Sequence, residues 1–367
     1  MGKWMRDQAE SRRNRLLGRR WRPRPLRDQV MVITGASSGI GRAAADLAAS
    51  RGATVVMAAR DTDALELAAG AIRARGGHAL AVECDVSRPE QIEALAMRAL
   101  EHYGGIDTWV NNAGVSIYGR LDEVPIEDQR ALFDVNYWGL VAGSLTAARV
   151  LAENGGVIIN IGSVASDRAI PLQGAYSASK HAVKAFTDTL RMEIDEAGLP
   201  IAVSLVKPAS TDTPFFEHAR TYMDADPRPA PPVYAASEVA RAIVRCAERP
   251  VRDLPVGGAS RALALGGALA PRLTDLYMEK TLFSGQQREP RPRPQSGNLE
   301  VPQPPHREAG DYEGHVMQTS AYTRAMMSDA ARFAPFVAAG AAGAAGLALA
   351  LASRPRPAAT ATRGPAE

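Results

Sequence analysis

The feature that most constrains the fold is a strand, a glycine turn and a helix in direct succession near the start of the chain. Residues 30–33 are apolar and mostly β-branched, residues 34–41 read Thr-Gly-Ala-Ser-Ser-Gly-Ile-Gly, and an Ala-rich helical run follows. In this context Gly35 permits a tight turn, Gly39 lets the backbone approach a pyrophosphate, and Gly41 lets the helix pack on the strand. The pattern predicts phosphate binding at the helix N-terminus.

The same alternation continues along the chain. Strand-like runs at residues 53–59 and 79–84 are each followed by a helical segment, at residues 64–75 and 90–103, and another apolar run begins at Ile106. Strands alternating with helices of ten to fifteen residues indicate βαβ units and a parallel sheet. We predict an α/β fold: a Rossmann-type, doubly wound parallel sheet with helices on both faces, followed by a helical or disordered C-terminal extension.

The end of the second strand bears on cofactor choice. Dinucleotide folds that prefer NAD place an acid there to hold the ribose hydroxyls, whereas this chain has Ala59 and Arg60. Arg60 and Arg42 can clamp a 2′-phosphate by charge-assisted hydrogen bonds, which favours NADP(H) over NAD(H). The chain has 38 Arg, so either residue can instead be incidental.

Candidate acid–base chemistry lies further along. Tyr176 and Lys180 are four residues apart, so on a helix they share one face, and an ammonium near a phenol lowers its pKa. Ser163 follows the apolar run at residues 157–162, which reads as a buried strand, so its hydroxyl is expected at a carboxyl end of the sheet. A bare Tyr-xxx-Lys pair is a weak motif, but the glycine turn makes the combination specific.

Taken together, these motifs resemble the short-chain dehydrogenase/reductase family, in its compact single-domain branch, over about residues 28–258. The resemblance is carried by Thr34-Gly35-xxx-Gly39-Ile40-Gly41, Asp85, Asn111-Asn112-Ala113-Gly114, Asn136, Ser163 and Tyr176-xxx-Lys180. It implies that Tyr176 exchanges a proton with a carbonyl or alcohol oxygen and that Ser163 positions that oxygen. It also implies that Lys180 holds the nicotinamide ribose and lowers the phenol pKa, and that Asn136 binds a water linking Lys180 to solvent.

The resemblance also implies a cofactor site, in which Asp85 contacts the adenine and residues 111–114 brace the sheet and line the adenosine pocket. The expected cofactor-binding residues are Gly35, Ser37, Ser38, Gly39, Ile40, Gly41, Arg42, Arg60, Asp85, Val86, Asn112, Ala113, Gly114, Tyr176, Lys180, Pro208 and Thr213. One departure is Ala209, where the family commonly has Gly after Pro208; Ala adopts positive φ less readily, so the local backbone is expected to differ.

The substrate side is expected to be apolar. Residues 211–234 are irregular and proline-rich, where the family carries its substrate lid, and they include Phe215, Phe216, Tyr222, Met223 and Tyr234; Ile117 and Tyr118 follow the fourth strand. We predict a small apolar ketone, aldehyde or secondary alcohol as substrate, although these aromatics can instead simply dock the lid on the core. Two alternatives stay open: a non-catalytic NADP(H)-binding scaffold or sensor, and a sugar-nucleotide epimerase, which normally has a different glycine spacing.

The remaining segments suggest extensions around the catalytic domain. Residues 1–27 carry ten basic and two acidic side chains. This composition is typical of a disordered arm or of an arm that adheres to anionic lipid. No sequence motif for reading bases accompanies it, so nucleic-acid binding is not predicted. The expected organisation is a basic arm at 1–27, the catalytic domain at 28–258, an apolar helical extension at 259–285, a Pro-rich linker and polar segment at 286–332, a transmembrane or Ala-rich helix at 333–352, and a tail at 353–367.

Compartment and assembly follow from the same considerations. Cys84 and Cys246 form no CxxC motif and there is no His cluster, so neither a disulfide framework nor a metal site is predicted. Residues 333–352 are twenty uncharged residues, long enough to span a bilayer but mostly Ala and Gly. We expect the enzyme on the cytoplasmic face, with this segment as an anchor or a flexible tail, and as a homo-oligomer (dimer or tetramer).

Overall fold

The structure, a computed structural model, describes residues 21–289 and 297–328. Within these residues one parallel sheet has seven strands in the spatial order β3-β2-β1-β4-β5-β6-β7. The strands are β1 (Val30–Thr34), β2 (Thr54–Ala59), β3 (His78–Glu83), β4 (Thr108–Asn111), β5 (Gly156–Ile161), β6 (Ile201–Pro208) and β7 (Asp253–Val256). The strand order reverses at β1, which pairs with both β2 and β4. The predicted doubly wound α/β fold is confirmed.

Helices connect the strands and cover both faces of the sheet. They are α1 (Gly39–Ser50), α2 (Thr62–Ala74), α3 (Pro89–Tyr103), α4 (Ile126–Phe133), α5 (Leu140–Leu151), α6 (Gly174–Glu196), α7 (Ala236–Glu248), α8 (Gly258–Leu269), α9 (Pro271–Gly285) and α10 (Ala321–Met327). A π-helical segment, Asp134–Gly139, joins α4 to α5. Because helices pack on both faces, all six residues of β5 are buried, as is usual for a central parallel strand.

The centre of the sheet also contains polar groups, and they are paired with one another. The Asn111 side chain donates to Asn160 Oδ1 at 2.8 Å, and Asn160 Nδ2 donates to Thr187 Oγ1 at 3.0 Å. Trp109, which is fully buried, donates its indole N–H to Asn111 Oδ1 at 2.8 Å. A buried polar network that satisfies its members joins β4 and β5 to α6 without leaving unpaired amides in the core.

The glycine turn after β1 has the backbone that its sequence predicts. Gly35 and Gly39 have φ values of +65° and +53°, in the left-handed region that favours glycine. A Cβ on Gly41 would lie 2.2 Å from the Gly35 carbonyl oxygen, so only glycine lets α1 begin this close to the turn. The turn therefore presents the N-terminus of α1 at the carboxyl end of β1.

The C-terminal extension contains more packed structure than its sequence predicts. The Pro-, Arg- and Gln-rich residues 286–306 read as a linker without a packed core, yet Leu299 is only 5% exposed and lies in the main apolar core. The difference arises because the described part of this segment, residues 297–306, contains no regular helix or strand, so it has no hydrophobic periodicity to detect.

The membrane prediction concerns a different part of the chain. Among the residues that the structure describes, no helix is both long and apolar enough to cross a bilayer. The predicted anchor at residues 333–352 and the first twenty residues of the basic arm predicted at residues 1–27 lie outside the described residues. The anchor, the cytoplasmic-face location and the homo-oligomer stay predictions.

Candidate functional site

A cavity of about 640 Å³ opens at the carboxyl ends of the central strands, on either side of the point where the strand order reverses. Open α/β sheets bind ligands at this place. Most of the predicted site residues line it, namely Gly35, Ser37, Ser38, Gly39, Ile40, Arg60, Asp85, Val86, Asn112, Ala113, Gly114, Ser163, Tyr176, Lys180, Pro208 and Thr213. Three others, Gly41, Arg42 and Asn136, are not among the lining residues.

Ser163 and Tyr176 meet at the deep end of this cavity. Ser163 caps a short turn after β5, where its Oγ accepts from the Ala165 N–H at 3.1 Å and its own N–H donates to Ser166 Oγ at 3.1 Å. This reciprocal cap fixes the serine backbone. The Tyr176 phenol projects from α6 close enough to the Ser163 hydroxyl for a hydrogen bond between them to lower the phenol pKa. Two hydroxyls are thus held together on two separate elements, next to an open space.

Lys180 lies one turn beyond Tyr176 on α6. Its Nζ is 5.7 Å from the centre of the Tyr176 ring and donates to the Ile161 carbonyl oxygen at 2.9 Å. Burial lowers the pKa of Lys180 to about 8, because a buried ammonium loses its hydration. The lysine is therefore a buried group whose charge is sensitive to pH near neutrality.

The sequence predicts that Lys180 lowers the pKa of the Tyr176 phenol, whereas in this structure that pKa is raised. Burial raises the pKa of Tyr176 to about 12, and the hydrogen bond from Ser163 offsets only part of that rise. Loss of hydration around the buried phenol is the largest cause. The predicted lowering of the phenol pKa depends on the oxidised nicotinamide as well as on Lys180, and it stays a prediction.

Asn136 sits in the π-helical segment, a distortion often found at functional sites. Its Oδ1 accepts from the Val115 N–H at 2.8 Å, and its Nδ2 donates to the Val115 carbonyl at 2.9 Å and to Ser179 Oγ at 3.2 Å. The amide therefore ties the loop after β4 to α6, beside the lysine. Its predicted contact with a water stays a prediction.

The substrate side of the cavity is built differently from the sequence expectation. Phe215 and Phe216 line it, and the Phe215 ring lies 5.7 Å from the Tyr176 ring. The other five predicted residues, Ile117, Tyr118, Tyr222, Met223 and Tyr234, are not among the lining residues. Helices α8 and α9 supply the wall instead, through Ala259, Ala262, Leu263, Leu273, Tyr277 and Leu282. The apolar sequence of this segment was the available signal, but it does not reveal which neighbour the helices cover.

The backbone after β6 accommodates the Ala that replaces the family's Gly. Among the described non-glycine residues only Leu172 has a positive φ, so Ala209 is not left-handed. Its N–H donates to the Val256 carbonyl at 2.9 Å, continuing the pairing of β6 with β7. Thr213 lies against the glycine turn, with its Cβ 3.2 Å from the position of a Cβ on Gly39.

Of the two cations predicted to bind a 2′-phosphate, Arg60 lines the other end of the cavity, whereas Arg42 is not among the lining residues. Arg42 Nη1 donates to the His306 carbonyl at 2.6 Å, and Arg60 Nη1 donates to the carbonyls of Leu299 and Glu300, each at 3.1 Å. Burial lowers the pKa of Arg60, with nearby Asp85 acting in the opposite direction. Sequence reasoning missed this partnership between the arginines and the C-terminal segment.

The geometry fits a nicotinamide dinucleotide. The left-handed glycine turn brings the start of α1, where a pyrophosphate would bind, to the wall of the cavity. Arg60 and Asp85 line one end, and Ser163, Tyr176 and Lys180 line the other. A dinucleotide lying along this cavity would place its two halves against these two groups.

Comparison with known proteins agrees with this reading. A family model described as short chain dehydrogenase matches residues 29–224. The protein named "Uncharacterized oxidoreductase YxnA" of Bacillus subtilis is 40% identical over 305 residues, which are 82% of this chain and 85% of the relative. A match of this length extends beyond residues 28–258. A 3beta-hydroxysteroid dehydrogenase of Mediterraneibacter gnavus is 36% identical over 193 residues, covering 52% of this chain and 69% of that protein.

Solved structures give the same fold with either cofactor type. A short chain dehydrogenase/reductase from Burkholderia phymatum in complex with NAD is 30% identical, with a TM-score of 0.59 over 75% of this chain and 99% of that chain. An alcohol dehydrogenase from the archaeon Thermococcus sibiricus, complexed with 5-hydroxy-NADP, is 28% identical, with a TM-score of 0.55 over 62% of this chain and 95% of that chain.

Proposed function

The chain is an oxidoreductase that belongs to the short-chain dehydrogenase family, and from that premise we propose an NADP(H)-dependent enzyme acting on a hydrophobic ketone, aldehyde or secondary alcohol. The observation that carries the proposal is the Ser163–Tyr176 pair beside buried Lys180, all three lining one cavity. These three side chains form one end of a cavity whose other walls are largely apolar. Such a site suits proton exchange with an oxygen on an apolar substrate.

In the proposed mechanism the protein handles the proton. When bound, the nicotinamide supplies or accepts the hydride. Tyr176 donates its phenolic proton to the substrate oxygen during reduction and takes it back during oxidation. Ser163 donates a hydrogen bond to the same oxygen and so orients it toward the phenol. Positive charge on Lys180, whose Nζ lies 5.7 Å from the centre of the phenol ring, favours the phenolate in this mechanism.

The apolar character of the proposed substrate rests on the cavity wall. Phe215 and Phe216 approach from the segment after β6, and Leu263 and Leu273 approach from α8 and α9. Pockets of this kind bind ligands mainly through apolar contact, with a few polar groups fixing orientation. Here the Ser163 and Tyr176 hydroxyls would be the orienting groups.

Preference for NADP(H) is supported by the charges at the end of β2. Arg42 and Arg60 supply two guanidinium groups there. The nearby acid, Asp61, is used structurally, since its Oδ1 accepts from the Ala64 N–H at the start of α2 and its Oδ2 lies 2.9 Å from His306 Nε2. Charge-assisted hydrogen bonds from the two arginines to a 2′-phosphate therefore outweigh hydrogen bonds from ribose hydroxyls to Asp61.

The cofactor proposal is tested with Arg60→Ala. We expect the ratio of the NADH Kd to the NADPH Kd to fall by about tenfold or more, since hydrogen bonds to charged groups contribute about 1.5–3 kcal/mol. Nicotinamide fluorescence titration of the full chain measures both constants. Arg51→Ala is the matched control, because Arg51 is a surface residue at the end of α1, outside the cavity. An unchanged ratio, or a wild-type preference for NADH, would remove Arg60 from the cofactor site.

A further inference from the structure

Residues 297–307, here called the strap, lie across the phosphate-binding part of the candidate site. Three donors at this place are engaged by strap carbonyl oxygens. The Gly39 N–H donates to the Arg307 oxygen at 2.9 Å, Arg42 donates to the His306 oxygen at 2.6 Å, and Arg60 donates to the carbonyls of residues 298–300. The strap therefore binds the protein through the groups that would bind a nucleotide's phosphates.

The strap is anchored at both ends by its own side chains. Near its start, Leu299 is 5% exposed and packs in the main apolar core. At its end, Arg307 Nη2 forms an ion pair with Glu217 Oε1 at 2.6 Å. The Asn298 N–H also donates to the His218 carbonyl at 2.8 Å. These contacts hold the carbonyl oxygens in place over the arginines.

The strap and the phosphates of a dinucleotide would use the same hydrogen-bond donors. The α1 N-terminus is where a pyrophosphate binds in this kind of turn, and the two guanidinium groups are the cations available to a 2′-phosphate. An N–H group that already makes a short bond to a carbonyl oxygen has no room for a phosphate oxygen at the same position. Phosphate binding through the Gly39 N–H, or through the Arg42 and Arg60 N–H groups that the strap engages, thus requires these strap contacts to break.

We propose that the strap is an internal competitor of the cofactor's phosphates, so that the chain binds NADP(H) only with the strap displaced. This inference rests on the proposed function. The exchange is feasible because bonds from arginine to a phosphate are stronger than bonds to a neutral carbonyl. The apparent affinity for cofactor is then reduced by the fraction of molecules in which the strap is displaced, and weakening its anchors restores that affinity.

The test compares the NADPH Kd of four full-length proteins by nicotinamide fluorescence. Leu299→Ala removes the apolar anchor and is expected to lower the Kd by about tenfold. Arg307→Ala removes the partly exposed ion pair and is expected to lower it by about threefold, as such pairs contribute little. Because Arg307 lies at the surface, this variant keeps the test valid if Leu299→Ala does not fold. Val301→Ala is the matched control, since Val301 belongs to the strap but is 61% exposed, and its Kd should stay within about twofold.

A second measurement distinguishes a strap that the cofactor displaces from a strap that closes over the bound cofactor. Amide hydrogen exchange in the wild-type strap should speed up when NADPH is added, because the Asn298 N–H loses its partner on displacement. Slower exchange, or a higher Kd in Leu299→Ala, would mean that the strap retains the cofactor and would overturn the inference. Equal NADPH affinities in all four proteins would also overturn it while leaving the proposed function intact. If none of them binds NADPH or NADH, the proposed function itself fails, and the strap inference fails with it.

Discussion

Tyr176→Phe is expected to lower kcat by about 10²–10⁴-fold while leaving the NADPH Kd within about twofold of wild type. The phenol is the proposed proton donor, and general acid–base catalysis typically contributes a factor of this size. Phe keeps the ring, so its contact with Phe215, at 5.7 Å between ring centres, and its place on α6 are retained. Steady-state turnover of an apolar ketone with NADPH, beside a fluorescence titration, measures both quantities.

Tyr118→Phe is the matched control for this change. Tyr118 is fully buried and close enough to Tyr176 that Tyr176 helps to raise the pKa of Tyr118, yet Tyr118 does not line the cavity. Among the described residues, none is hydrogen-bonded to its hydroxyl, so removing that oxygen should not destabilise the fold. Turnover should therefore stay near the wild-type value. Full turnover in Tyr176→Phe, or equal losses in the two variants, would contradict a proton-transfer role for Tyr176.

Lys180→Met is expected to lower kcat by about 10²-fold or more and also to weaken NADPH binding. The change removes the buried positive charge that lies 5.7 Å from the Tyr176 ring and is proposed to favour the phenolate. A residue that acts on both the phenol and the cofactor should change kcat and Kd together, unlike Tyr176→Phe. Wild-type values of both in Lys180→Met would contradict this role.

The same variant also has an expected signature in stability. Burial lowers the folded-state pKa of Lys180 from its ordinary 10.5 to about 8, so between these values the unfolded chain binds more protons at this residue. The contribution of Lys180 to the free energy of unfolding must therefore rise with pH across that window. The free energy of unfolding is measured with urea for both cofactor-free proteins at pH 7.5 and pH 10. The value for wild type minus the value for Lys180→Met should be larger at pH 10. If this difference is unchanged or smaller at pH 10, the lysine is not desolvated.

The parts of the fold that sequence could predict are those with local causes. Gly35 and Gly39 adopt positive φ in the turn itself, and the alternation of apolar strands with helices requires a parallel sheet whatever the rest of the chain does. The carboxyl ends of parallel strands lie at one edge of the sheet. This topology requires Ser163 and the glycine turn to lie at the same cavity. These features need no knowledge of distant contacts.

The parts that sequence could not predict depend on burial and on backbone contacts between distant segments. The phenol pKa of Tyr176 follows from desolvation, which no spacing reveals. The strap binds through carbonyl oxygens that every residue carries, so its Pro-rich sequence has no recognisable signature. Likewise, α8 and α9 were predicted as one apolar helical segment, but their position over the substrate end depends on tertiary packing.

Transfer of deuterium is the most direct test of hydride transfer as the activity of this chain. The full-length protein is incubated with NADPH that carries deuterium at nicotinamide C4 and with a panel of cyclic and aryl ketones, and the products are analysed by mass spectrometry. The account predicts an alcohol with deuterium on the carbinol carbon, formed by wild type and Tyr118→Phe and at least about 10²-fold more slowly by Tyr176→Phe. Tight NADPH binding without deuterium transfer to any ketone, and without NADPH formation from NADP⁺ and the matching alcohols, would contradict it and favour a non-catalytic cofactor-binding protein.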